Sequence, residues 1–484
     1  MRSSHVIAIV ALALTVTFGC SREKPVMPEQ AGSDNLAVTA NDAELLASAI
    51  VARSGWELDP EALTPKISQQ GVDALEHQIM NYSRQPLTGD IAHYYFEVRV
   101  GPGLYDVIGL HRVVKETSPN RPIRSKKSIF LQHGDAVGFV KFLFGVASPN
   151  TPDEQSAAIF FAENGVDVWG IDQDWILVPE SETDFSFMAD WGLQHNVDNL
   201  NIGMTVAREA RLLTGNGFRK MNLLGYSSGV ITTFALVNQE TQLPPGHRNV
   251  SGFIPVDCVY KTDPSDDLSF CADVAYYRDL LDAGVYADNG GVLFRTVGYL
   301  AQTDPDGPSP ILEGLTNLQT ALGFGATTYE FFANTPWYHF VAGVFDGDSP
   351  VGLQYTTLNG WFDFIQSAAS YEPNLFIYDS SVLVCDEVDV PFDDHLAQIN
   401  VPILYVGAAG GYGTTGIYTT SLTGSSDVST VIVQLHPANE PTRDFGHIDL
   451  WSADNAQTEV WVPILNWIDD HAPGSRSSSD MAKH

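Results

Sequence analysis

The chain has 484 residues, enough to bury a large core, and its 44% hydrophobic and 17% charged residues exclude a disordered protein. Lys and Arg number 25 against 59 Asp and Glu, a formal charge of −34. Acidity of that size excludes nucleic acid as a partner, sets the surface against anionic lipid, and reads as a solubility device.

The first twenty residues read as an export segment, with Arg2 as the positive end, Val6–Val16 as the apolar stretch and Thr17-Phe18-Gly19-Cys20 as the cleavage region. The apolar run is too short for a comfortable membrane span. A cysteine after a small residue at this place resembles a bacterial lipoprotein signal, although Thr17 stands where Leu is usual. That resemblance implies a lipid on Cys20, outer-membrane delivery through Ser21 and a polar tether over 21–40. The alternative is ordinary secretion with cleavage nearby. Either way the protein is expected outside the cytoplasm, touching a membrane only through such an anchor. Cys258, Cys271 and Cys385 remain, and an odd number allows one bridge among them. The nearest pair, Cys258–Cys271, is the expected one.

In chain order, Asp42–Arg53 has helical spacing of Leu45, Leu46, Ile50 and Val51. Glu61–Asn81 is irregular and is expected to pack over a sheet edge. His93–Val100 and Tyr105–Val114 alternate around Gly101-Pro102-Gly103, a hairpin signal, and Lys115–Ser125 reads as a polar loop. Ser128–Gln132 is a short strand running into His133-Gly134-Asp135. Val166–Gly170 is a second strand, and Ile202–Leu213 a helix stopped by Gly215-Asn216-Gly217. Met221–Leu224 then enters Gly225-Tyr226-Ser227-Ser228-Gly229 and the helical Val230–Val237. Strand, G-x-S-x-G and helix are the setting of a nucleophile elbow, a turn so tight that it lifts the serine above the sheet. A strand ending in His-Gly upstream is where the other half of an oxyanion hole is built, so the backbone N–H groups of Asp135 and Ser228 are the expected donors. The Asp135 carboxylate is expected to point away. Strands alternating with helices from Ser128 to Val237 predict a largely parallel sheet.

Ser251–Val256 is another strand and ends in Asp257. From Val259 to Pro391 the alternation stops and aromatic residues accumulate, with helices expected at Ile311–Leu322 and Leu358–Ala368. An insertion there sits over the strand ends as a cap, and some of its aromatics are expected to line an apolar substrate tunnel. Val401–Val406, Thr430–Leu435 and the helix Thr458–Trp467 complete the sheet. The expected division is a core in two parts, 41–257 and 392–470, a cap over 258–391 and a flexible tail over 471–484.

FLQHGD, AENGVDVWGID, LLGYSSG and FGHIDLWSAD, in this order, resemble the acid-lipase branch of the α/β-hydrolases over Ile91–Glu240 and Ile399–Ile468. Departures are Asp135 where an apolar residue is usual and Phe445-Gly446 where a Tyr-Asn-like pair is common. The resemblance implies an α/β-hydrolase fold: a mostly parallel sheet flanked by helices, with a large helical cap inserted after the strand that follows the nucleophile strand. It also implies Ser227 as nucleophile and His447, after the last strand, as base, with His436 as the fallback. Asp449 reads as an anchor of the histidine loop. The family's usual acid is missing, because the turn at Gly407–Gly413 has no carboxylate. Some lipases take the acid from the strand after the nucleophile strand, and Asp257 stands there, 30 residues after Ser227 (257 − 227). Asp444 and Asp427 are the alternatives.

The expected activity is hydrolysis of carboxylic esters with apolar acyl or aryl parts, lipids included, through an acyl-enzyme and with no metal or cofactor. Amide or peptide cleavage and acyl transfer use the same machinery and stay open. So does an inactive cell-surface binding protein, for which the acid missing after Gly407 is the main ground. His436 and His447 lack zinc-ligand spacing, and neither Asp263–Asp267 nor Asp304–Asp306 has a calcium-loop pattern.

Overall fold

The computed structural model describes residues 40–60, 78–148, 150–265, 271, 273–329, 335–386 and 388–472. The export segment, Cys20, the tether up to residue 39, most of the expected edge segment (61–77) and the tail from 473 lie outside the described residues.

Fourteen strands are described, in chain order β1 Ile79–Pro86, β2 Ile91–Arg99, β3 Val107–Ser118, β4 Arg121–Pro122, β5 Lys127–Gln132, β6 Val166–Asp172, β7 Met221–Tyr226, β8 Val250–Val256, β9 Ala287–Asp288, β10 Gly343–Asp346, β11 Ser349–Leu353, β12 Glu372–Pro373, β13 Ile403–Ala408 and β14 Val428–Val433. Ten of them form one sheet in the order β1-β2-β3-β6-β5-β7-β8-β13-β14, with β4 paired to β3. From β6 to β14 every pairing is parallel; β1, β2 and β3 form an antiparallel meander on the β6 edge. The strand that carries the serine, β7, therefore runs in the middle of the parallel part.

Central strands of this kind are apolar throughout because helices cover both faces. All six residues of β7 and of β13 are buried. Alternate side chains enter separate cores. Phe130 and Leu223 pack with Leu200, Met204 and Phe234 on one side, whereas Ile129, Leu131 and Leu224 pack with Phe161 and Ile464 on the other. The first side is covered by the helices Ala40–Ser54, Leu193–Leu213 and Gly229–Glu240, the second by Ala157–Glu163 and Val462–Asp470.

A buried cluster of three charged groups adjoins the first layer. Asp167 of β6 is fully buried and accepts from Arg112 Nε at 2.9 Å and Nη2 at 3.0 Å, and from Arg211 Nη1. The Arg112 guanidinium also lies 4.4 Å from the Trp56 ring and 5.0 Å from the Trp169 ring. Burial alone would raise the Asp167 pKa, but the two guanidiniums outweigh it and hold it below its ordinary value. Its contribution to stability is thus present above the ordinary carboxylate range and is lost as acid protonates the folded state. Asp167→Asn leaves two buried cations uncompensated and is expected to cost about 3–5 kcal/mol, read from the denaturant midpoint.

Several expected boundaries move. The polar loop 115–125 is in large part strand: β3 continues to Ser118 and folds back on β4 through Asn120, whose φ is 61°. The helix expected from Ile202 begins at Leu193, because its first turns bury Asn196 and Asn199, polar side chains that break the apolar period. In the cap, the helix expected at 311–322 runs Asn317–Ala326, since Thr316 and Gln319 form a capping box that fixes its start. The disulfide also differs from expectation. Cys271 pairs with Cys385, Cα atoms 5.8 Å apart, tying the first cap segment to the end of the helix Asn374–Cys385. Cys258 is buried and free; it sits beside the strand end under the cap, where its sequence neighbour Asp257 is fixed to β13.

The cap carries the helices Asp273–Asp282, Gly290–Thr303, Asn317–Ala326, Leu358–Gln366 and Asn374–Cys385. Its core of Val297, Phe324, Trp361, Phe364 and Ile365 is continuous with Val137 and Ile448 of the loops above the sheet.

Candidate active site

Ser227 follows the last residue of β7 and precedes the helix Gly229–Glu240, with φ of +57°. A non-glycine residue in the left-handed region is strained, and such strain is held only where the surroundings over-determine it. Here the Ser227 N–H donates to Val256 O at 3.1 Å, and Val230 N–H returns to Ser227 O at 2.8 Å. The loop after β5 crowds against the turn. A Cβ on Gly134 would lie 2.4 Å from Ser227 Cβ, and one on Gly229 would lie 2.2 Å from His133 O.

The loop after β5 is braced by a buried amide network. Gln173 N–H donates to His133 Nε2 at 3.0 Å, so the proton is on Nδ1, which donates to Gly134 O at 2.8 Å. Burial pushes the His133 pKa down to about 4, leaving a neutral ring. Gln132 donates to His133 O, and Gln173 donates to Gln132 Oε1 and Asn196 O. Among the described residues neither the Asp135 nor the Ser228 N–H has an acceptor, and both residues line the cavity that Ser227 enters. Unpaired backbone donors are rare inside proteins, and two beside one serine suit a developing oxyanion. Asp135 lines that cavity, and its side chain pairs with Glu372 of the insertion.

His447 lies in the loop before the short helix Asp449–Ser452, 3% exposed. Its Nδ1 donates to Asp257 Oδ2 at 2.7 Å. A carboxylate only accepts, so the neutral ring keeps its proton on Nδ1 and leaves Nε2 as an acceptor. The Tyr226 ring stacks on the imidazole at 4.7 Å, and its hydroxyl donates to His447 O at 3.0 Å. Tyr338 and Tyr412 flank the other sides, with ring centroids 5.5 and 6.0 Å away. Asp449 anchors the loop: its Oδ2 accepts from Gly446 N–H and Ala342 N–H, each at 2.8 Å.

Asp257 directly follows β8, with φ of +49°, and is fully buried. Its second oxygen, Oδ1, accepts from the N–H groups of Ala408, Tyr412 and Gly413 at 2.9, 3.1 and 3.3 Å. The glycine-rich turn that lacks a carboxylate is thus wrapped around one supplied by the neighbouring strand. The alternatives lie elsewhere. Asp444 accepts from the N–H groups of Leu435, His436 and Phe445 at 2.8 to 2.9 Å and so caps its own loop. Asp427 meets His471 at 3.1 Å, on the surface. His436 contacts Gln354 at 2.8 Å.

Ser227, Ser228, Asp135, Tyr226 and His447 line one cavity of about 870 Å³ between the sheet and the cap. Its walls are mainly apolar, among them Leu293, Phe294, Phe324, Phe340, Trp361 and Phe376. Among the described residues no group of three or more His, Cys, Asp or Glu is placed to hold a metal ion, and no helix is long and apolar enough to cross a membrane.

No model of a known protein family matches the chain, and no curated protein matches it in sequence. Among solved structures it is similar to a candidate lipase from Sulfolobus solfataricus, with a TM-score of 0.52, 16% identity, and 80% of this chain and 98% of that one covered. Weaker likenesses include a soluble variant of monoglyceride lipase from Saccharomyces cerevisiae (TM-score 0.36, 12% identity, 82% and 98% covered) and an epoxide hydrolase from Vigna radiata (0.39, 12%, 79% and 99%). With a mostly parallel sheet, helices on both faces and a helical insertion after β8, the chain has the α/β-hydrolase fold.

Proposed function

We propose that the protein is a serine hydrolase of carboxylic esters with apolar acyl or aryl groups, working through an acyl-enzyme. The observation that carries this reading is the buried 2.7 Å pair of Asp257 and His447 in a chain whose strained Ser227 opens into the same cavity as His447. Ser227 Oγ attacks the ester carbonyl while His447 Nε2 takes its proton. The N–H groups of Asp135 and Ser228 hold the oxygen that becomes negative. Collapse breaks the bond to the alcohol, which leaves with the proton from His447. The same imidazole then deprotonates a water that adds to the acyl carbonyl; the acyl–Oγ bond breaks, the acid leaves, and His447 returns the proton to Ser227. Asp257 stays ionised and steadies the imidazolium.

The acid missing after Gly407 was the ground for an inactive binding protein; Asp257 beside His447 meets that need. The aromatic walls and the size of the cavity support an apolar acyl or aryl group over a highly polar substrate. Export, and attachment through Cys20, belong to the same proposal, and mass spectrometry of the N-terminus from a membrane fraction tests them.

Turnover across acyl chain lengths, aryl esters and matched amides tests the reaction class. Hydrolysis confined to esters is the expected outcome; amide cleavage at comparable rate would contradict it. The amide cradle gives a second expectation. A Cβ on Gly411 would fall 2.1 Å from Asp257 Oδ2. Gly411→Ala should therefore displace the carboxylate and lower kcat/KM by on the order of 100-fold, measured on a chromogenic short-chain ester.

A further inference from the structure

One corner of the cavity is polar, and the reaction outlined above uses none of its side chains. Lys141, in the 3-10 turn Phe139–Leu143, is 2% exposed, with Nζ 4.6 Å from the centroid of the Tyr226 ring, the residue before the serine. Among the described residues no carboxylate comes within ion-pair distance of that nitrogen. Asp135, Asp288 and Glu372 line the cavity with it. Glu372 and Asp288 are register partners across the β9–β12 ladder, and Glu372 Oε1 is sealed from solvent with no hydrogen-bond partner. The cap segment leading to Glu372 is fixed to the oxyanion loop, since Ala369 N–H donates to Ala136 O at 2.5 Å.

An ammonium buried on a ring face without an ion partner, beside an orphaned carboxyl oxygen, is a costly arrangement unless a ligand completes it. Burial lowers the Lys141 pKa to about 7, against the pull of Asp135 and Glu372. Burial, then the Asp135 charge and a hydrogen bond between the two side chains, holds Glu372 well above the ordinary carboxylate range, and burial raises Asp288. Near neutral pH the corner therefore presents donors and acceptors together. A cationic group would meet Lys141, and an anionic one would meet Asp135 and Asp288. An uncharged group with several hydroxyls satisfies both, donating to Asp288 and to the unpaired Oε1 of Glu372 and accepting from Lys141. The apolar remainder of the cavity is left for the acyl chain.

We infer that Lys141, Glu372, Asp288 and the Asp135 side chain form a subsite for a hydroxyl-bearing alcohol part, so that esters of polyols are preferred over simple alkyl esters of the same acid. The inference rests on the ester-hydrolase reading. It is tested with 2,3-dihydroxypropyl octanoate against propyl octanoate, which share the acyl chain and the three-carbon alcohol. The expected kcat/KM ratio in the unaltered protein favours the diol by on the order of 100-fold. Lys141→Met, which keeps the stem, and Glu372→Gln should each pull the ratio towards one, with propyl octanoate hydrolysis little changed. A ratio near one in the unaltered protein, or a ratio unmoved in both variants, overturns the subsite. Calorimetric binding of the ether 1-O-octylglycerol to Ser227→Ala protein separates the two readings. If neither ester is cleaved but the ether binds and Lys141→Met abolishes binding, the subsite stands and the hydrolase reading fails; if the ether does not bind, the subsite falls.

Discussion

Ser227→Ala is expected to lower turnover of a chromogenic short-chain ester by on the order of a millionfold, the size of loss seen when a serine nucleophile is removed from a working triad. Alanine at φ of +57° carries the same backbone strain as serine, so the fold is kept and the loss reports chemistry alone. Ser227→Gly separates the two quantities. It should be as inactive as the alanine variant yet more stable by about 1–2 kcal/mol, because glycine enters the left-handed region without penalty. A strained position whose relief stabilises the protein and abolishes its activity is what a functional site predicts. Unchanged turnover in either variant would remove Ser227 from the reaction.

Asp257→Asn carries the second large effect, on the order of 10⁴ in kcat. The cradle explains why. Three backbone N–H groups converge on Oδ1, so the asparagine carbonyl oxygen must occupy that position. Its amide nitrogen is then turned towards His447 Nδ1, where Oδ2 now accepts at 2.7 Å. The ring answers by moving its proton to Nε2, the nitrogen that must be free to take the serine proton. Asparagine tolerates the φ of +49° at this position, so the loss should come with little change in melting temperature. Asp444→Asn is the control. It removes a loop cap, and should lower stability while leaving kcat within a small factor. The reverse pattern would give the acid's role to Asp444.

The parallel core was legible because its signals are local. A buried strand, a tight G-x-S-x-G turn and a helix follow one another within Met221–Glu240, and no distant residue is needed to recognise them. The carboxylate that pairs with His447 was harder for the opposite reason. Asp257 and the amides of Ala408, Tyr412 and Gly413 are about 150 residues apart in the chain and meet only because β8 and β13 are adjacent strands. The run Gly407–Gly413 looked empty of chemistry because backbone groups, which carry no letter in the sequence, do its work. His133 and Gln173 were missed as braces for the same cause, their contact depending on β5 and β6 lying side by side. Lys141 gave no signal at all: a lone lysine among Val140, Phe142 and Leu143 reads as an exposed charge, and its burial against the Tyr226 ring is set by tertiary packing. The disulfide was misjudged on proximity in sequence, while the helix Asn374–Cys385 brings Cys385 to Cys271 across 114 residues.

Central to this account is an activated Ser227, and the most direct measurement is peptide mass mapping after exposure to a fluorophosphonate. One adduct is predicted on the tryptic peptide Met221–Arg248, located at Ser227 and lost in both Ser227→Ala and His447→Ala proteins. Folded protein that takes no label, or that keeps its label when Ser227 is replaced, would contradict the account.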